Sequence, residues 1–205
     1  MAEQNQFGFF KDIVLDNGAL NVKIMGNEAV GIGWQDFADS NTSEASPLVQ
    51  SNVGGGEVLM TNNNNDTLTD GNTNVNSATT VNGITDLWNT TTNTFDFDGT
   101  GIEANDILNF RIHTNISASI INQEFSIRLD FFDGVGGTGT QIFSLSTHVA
   151  SETLSAGVFR ERLTNINAFV GQSILNGSAK AYLVGTKSFE AEIIGFNIQI
   201  LKINN

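Results

Sequence analysis

Apolar and polar residues alternate with period two along much of the C-terminal half of the chain. In ILNFRIHTNI (107–116), Leu108, Phe110, Ile112 and Ile116 alternate with Asn109, Arg111, His113 and Asn115. In QEFSIRLDFF (123–132), Phe125, Ile127, Leu129 and Phe131 alternate with Ser126, Arg128 and Asp130. In the last strand, EAEIIGFNIQILKI (190–203), the pattern puts Ile194, Phe196, Ile198 and Ile200 on one face. Alternation over such lengths predicts half-buried antiparallel strands, with one face in a core and one facing water or a partner. Shorter strands fit 47–50, 57–61, 141–147, 158–163, 165–170 and 178–184, and residues 151–156 fit one helical turn. Asp133-Gly134 and Asn176-Gly177 mark tight turns between them.

The N-terminal segment, residues 1–33, reads differently. Ile13 and Leu15 lie before the Asn17-Gly18 pair, and Leu20, Val22 and Ile24 after it. That is a hairpin signature. An isolated hairpin is marginal in water, so this segment needs the main domain or another chain to lie against. Phe7, Phe9 and Phe10, with Ile13 and Leu15, are its candidate partner-binding anchors. Residues 34–83 are rich in Gly and Asn, and the run from Asn62 to Asp66 reads as a surface loop. Many short strands, frequent turns and no internal repeat predict an all-β chain, an antiparallel β-sandwich or jelly roll with an N-terminal extended arm or hairpin. The expected division is 1–33 as arm and 34–205 as jelly-roll domain.

Composition narrows the function. The 205 residues carry 9 Lys and Arg against 22 Asp and Glu, a net charge of −13, which opposes binding to a nucleic-acid backbone. With no cysteine, disulfides and thiolate chemistry are excluded. No apolar run approaches a membrane span, and Met1 to Phe10 has no basic stretch before an apolar one, so synthesis in a cytoplasm without membrane insertion is expected.

The stretch ITDLWNTTTNTFDF (84–97) resembles a motif of small structural proteins of tailed phages, which are trimeric jelly rolls of the TNF/C1q type. Weaker matches fall at Trp34–Ser40, Leu59–Asn65 and Asn122–Phe125, so the resemblance runs from about residue 34 to the C-terminus and leaves residues 1–33 outside it. It implies a homotrimer on a virion surface that contacts a major capsid protein or another virion protein, as head decoration or head-fibre subunit. The alternative it implies is a tail-fibre tip that binds host glycan. Phe95 and Phe97 flank Asp96 in period two, so both rings point to one side of a strand. Trp88 is either a core anchor or part of a subunit interface.

Catalytic patterns are sparse. His113 and His148 are the only imidazoles, and no Gly-x-Ser-x-Gly occurs. His113 reads as a solvent-facing or inter-subunit strand residue, and Glu161, between Arg160 and Arg162, as part of a charged strand face. The glycines at 54–56 and 134–139 lack the Lys and following helix of a phosphate loop. No cofactor is expected beyond a structural calcium. Its candidate ligands are Asp96, Asp98 and Glu103, alternating oxygens around Gly99 and Gly101. Simple Asx-turns account for the same residues.

Overall fold

The computed structural model describes residues 10–16, 19–24, 30–38, 49–62, 84, 87–152 and 157–203. Among them, thirteen strands form two antiparallel sheets. These are β1 (Phe10–Asp16), β2 (Ala19–Ile24), β3 (Val30–Ala38), β4 (Val49–Asn52), β5 (Gly56–Leu59), β6 (Trp88–Asn89) and β7 (Thr94–Asp96). They continue with β8 (Ile107–Ala118), β9 (Gln123–Phe132), β10 (Gln141–Glu152), β11 (Phe159–Phe169), β12 (Ser178–Gly185) and β13 (Phe189–Ile203). Sheet one has the order β1-β2-β3-β13-β8-β11, with β4 also paired to β13. Sheet two has the order β10-β9-β12-β7-β6, with β5 also paired to β12. From β8 onward the chain passes from sheet one to β9 and β10 in sheet two, then alternates sheets through β11, β12 and β13. This crossing connectivity is that of a jelly roll, an antiparallel β-sandwich.

The alternation read from the sequence explains the core. On β8, Leu108, Phe110 and Ile112 point inward, and on β9 Phe125, Ile127, Leu129 and Phe131 face them. Small residues Ala179 and Ala181 on β12 leave room for these rings, and Phe131 stacks on Phe97 and on Phe143 of β10. Phe95 and Phe97 are both buried, as their spacing predicts.

Three expectations need adjustment. The two short strands expected at 158–163 and 165–170 are one strand, β11, whose inward row Thr164, Ile166 and Ala168 runs unbroken. The single face expected for Ile194, Phe196, Ile198 and Ile200 is split by a bulge. The register of β13 on β8 slips between Ile193 and Gly195. Ile193 and Phe196 therefore both point inward and Ile194 is left half-buried on the outside. Of the helical turn expected at 151–156, Ser151 and Glu152 continue β10, and 153–156 lie outside the described residues.

The N-terminal hairpin is present. β1 and β2 pair from Phe10↔Ile24 to Asp16↔Ala19, and β2 meets β3 at Val22↔Val30. Phe7, Phe9 and the Asn17-Gly18 turn lie outside the described residues, as do the side chains of Phe10, Ile13 and Leu15.

Candidate interaction face

The outward faces of the two sheets differ in chemistry. On sheet two the polar groups are matched to one another. Asp130, almost fully buried, accepts hydrogen bonds from Arg128 Nε at 2.8 Å, Arg128 Nη2 at 2.7 Å and Ser144 Oγ at 2.6 Å. Arg128 Nη2 also donates to Glu57 at 2.7 Å, and the guanidinium lies 5.0 Å from the centre of the Tyr182 ring. The hydrogen bond to Asp130, foremost, pushes the Arg128 pKa further up. The Tyr182 hydroxyl is also shifted up, by burial first and by the Asp130 charge next. This network joins β5, β9, β10 and β12 and leaves its charges paired.

On sheet one the outward side chains of β13, β8 and β11 form cross-strand rows. The register aligns Leu201, Ile107 and Phe169 at one end of the sheet. Next come Gln199, Asn109 and Asn167, and then Asn197, Arg111 and Asn165. Above these, Gly195, His113 and Leu163 are level, and beyond them Glu192, Asn115 and Glu161. Phe169 is 72% exposed and Leu163 54%, large values for apolar side chains on a strand. His113 Nε2 pairs with Glu161 Oε1, and Asn115 Nδ2 donates to Glu192 at 2.9 Å. Apolar, amide and basic rows therefore occupy one part of the face and acids the other.

The alternation in β11 carried the signal for this face. Leu163, Asn165, Asn167 and Phe169 share one parity, opposite to the buried Thr164, Ile166 and Ala168. Dividing the strand near residue 164 hides it.

Other candidates have different placements. Trp88 is not part of an exposed interface. It is 6% exposed, packed against Phe95 and Phe196 at centroid distances of 4.7 and 4.8 Å, and its Nε1 donates to the Asn62 carbonyl at 2.7 Å. The pairing of β6 with β7 sets Trp88 opposite Phe95 and carries both rings into the sandwich.

Asp96, Asp98 and Glu103 do not converge on a common point. Asp96 accepts from Thr94 Oγ1, Asn89 Nδ2 and the Gly136 N–H, at 2.8, 2.9 and 2.9 Å. Asp98 is exposed, and Glu103 approaches Lys202 at 3.5 Å. Among the described residues, no group of three or more His, Cys, Asp or Glu side chains comes together. Asp133 caps its own turn by accepting the Thr140 N–H, and His148 lies exposed on β10.

These features define a jelly roll with one closed polar face and one open, partly apolar face. No protein-family model matches the chain, and no curated protein matches it. Among solved structures, the VP2 subviral particle of infectious bursal disease virus is similar over 96% of this chain and 38% of that one, at 13% identity and TM-score 0.43. The structure of the Gt strain of the same virus is similar over 100% of this chain and 46% of that one, at 12% identity and TM-score 0.40. This chain thus spans less than half the length of those viral chains. Eiger TNF from S. frugiperda is similar over 85% of this chain and 94% of that one, at 9% identity and TM-score 0.43.

Proposed function

We propose that this chain is a non-enzymatic structural subunit displayed on a virus particle, a trimeric jelly roll of the head-decoration or head-fibre kind in a tailed phage. The observation that carries the reading is the outward face of sheet one. There Leu201, Ile107 and Phe169 form an apolar row, with Leu163 exposed further along β11. Burying such side chains against another copy gains about 25 cal/mol for each Å² removed from water. β11 has 11 residues, so the part of the face spanned by β3, β13, β8 and β11 covers on the order of 600 Å² at strand spacing. That approaches the roughly 800 Å² each partner contributes to a standard stable interface. The resemblance of residues 84–97 to phage structural proteins supports the same setting.

Attachment is assigned to the N-terminal segment. The β1–β2 hairpin lies at the end of sheet one, and Phe7, Phe9, Phe10, Ile13 and Leu15 supply its anchors to a capsid or other virion protein. Strand addition would draw affinity from main-chain hydrogen bonds and specificity from alternate side chains.

A second reading, a glycan-binding tip, is favoured by a groove at the loop end of the sandwich. Its volume is about 340 Å³, and Asn52, Ser117, Ser119, Ser188 and Glu190 supply polar groups beside exposed Val53. Amide, hydroxyl and carboxylate groups beside an apolar patch suit a neutral sugar.

The mass of the purified chain at micromolar concentration tests the self-association. A trimer is expected, and Phe169→Asp, at an exposed position, should reduce it to a folded monomer. A wild-type monomer under these conditions would contradict the reading.

A further inference from the structure

Strand β13 carries its extra residue between Ile193 and Gly195, in the middle of the open face. The bulge sets Gly195 opposite His113, so no side chain fills the space between them. A groove of about 340 Å³ opens there, walled by Arg111, His113, Leu163 and Ile194. The His113 ring, paired with Glu161, forms one wall.

Arg111 is exposed and, among the described residues, makes no ion pair or hydrogen bond. Three other cations among the described residues are engaged: Arg128 with Asp130 and Glu57, Lys202 with the Gly101 carbonyl, and Lys180 with the Gly137 carbonyl. A chain with 22 acidic and 9 basic residues thus keeps a free guanidinium beside an apolar-walled groove. The complementary group is a carboxylate, which a guanidinium can grip through two parallel N–H···O bonds. Leu163 and Ile194 would shed water around that pair and strengthen it.

We propose that a neighbouring copy of this chain seats an acidic side chain in the groove, ion-paired with Arg111. The inference rests on the self-association reading above and identifies what one copy offers the next. The groove is continuous with the open face, because Arg111 lies four residues along β8 from Ile107 and one row from Leu163. A twofold packing centred on the Arg111 row would bring two free guanidinium groups together. A head-to-tail contact, in which the carboxylate comes from a different surface of the neighbour, avoids that clash and forms a ring where its rotation closes.

The test measures assembly of the full chain by equilibrium sedimentation at low and high salt, for wild type, Arg111→Lys, Arg111→Gln, Arg111→Glu and Phe169→Asp. Thermal melts confirm that each variant is folded. Arg111→Gln and Arg111→Glu should weaken assembly by roughly 30-fold or more, as expected for stranding one member of a desolvated charge pair. Arg111→Lys should weaken it less, and the salt sensitivity of wild-type assembly should largely disappear in Arg111→Gln. If Phe169→Asp dissociates the assembly while Arg111→Gln and Arg111→Glu assemble like wild type, the ion pair is overturned and the self-association reading stands. If wild type is a monomer, both are overturned.

Discussion

Asp106 accepts a hydrogen bond from the backbone N–H of Ile203 at 2.9 Å, a contact across 97 positions of sequence. Its other oxygen accepts from the Glu103 N–H at 2.8 Å, and the side chain is fully buried. One carboxylate thus ties the entry of β8 to the end of β13. Asn at this position can offer only one acceptor oxygen, so its amide nitrogen would face one of the two N–H groups. Asp106→Asn should destabilise the fold by about 1–3 kcal/mol, measured by urea denaturation. An unchanged midpoint would contradict this role.

The same carboxyl gives a pH dependence. Burial, the largest influence, raises its pKa above the ordinary 3.8, against the lowering effects of the two backbone donors and Lys202. The folded chain therefore holds this proton to higher pH than the unfolded chain. The stabilisation associated with that proton is fully present below 3.8 and is lost as pH rises through the folded value. The stability gap between wild type and Asp106→Asn should narrow as pH is raised from the acid side of that range. Denaturation series at several pH values read it directly, and a widening gap would reverse the assignment.

Trp88 and Asn62 couple the core to a distant segment. The indole N–H donates to the Asn62 carbonyl, while Asn62 Nδ2 donates to the Phe37 carbonyl at 2.9 Å. Trp88→Phe keeps an aromatic ring beside Phe95 and Phe196 but leaves that carbonyl without its indole donor. A loss of about 1–3 kcal/mol is expected from denaturation curves. Asn62→Ala should also destabilise, and the double variant should show coupling rather than simple addition.

Gly177 follows the short 3-10 turn at Gln172–Ile174, and its position is set by a close approach. A Cβ there would overlap the Phe132 carbonyl oxygen at the end of β9. Backbone, not a flexible side chain, would have to move. Gly177→Ala should cost about 1–3 kcal/mol in a thermal or chemical melt, and a variant as stable as wild type would show that the approach relaxes freely.

The sandwich was legible because its long strands are half-buried. Period-two alternation in β8 and β9 identifies Phe110 and Leu129 as core residues without knowing what they touch. The Asn17-Gly18 pair identified the hairpin from turn chemistry alone. The bulge at Ile193 and Gly195 was not legible, because a local insertion leaves a run of apolar residues, EIIGF, that fits either register. Asp106 and Asn62 were also out of reach, since their partners are brought close only by strand pairing over long separations. The open face lies between these cases. The alternation of Leu163 and Phe169 with Thr164, Ile166 and Ala168 is visible in the sequence, but which parity faces outward is settled by the second sheet. Trp88 could be core or interface until the pairing of β6 with β7 placed it.

The most direct measurement of the proposed structural role is the copy number and position of this chain in purified particles of a phage that carries its gene. Quantification against the major capsid protein, with imaging, supplies both. Many copies per particle, in multiples of three and on the capsid surface, are expected. Absence of the chain from the particles would contradict the structural role outright.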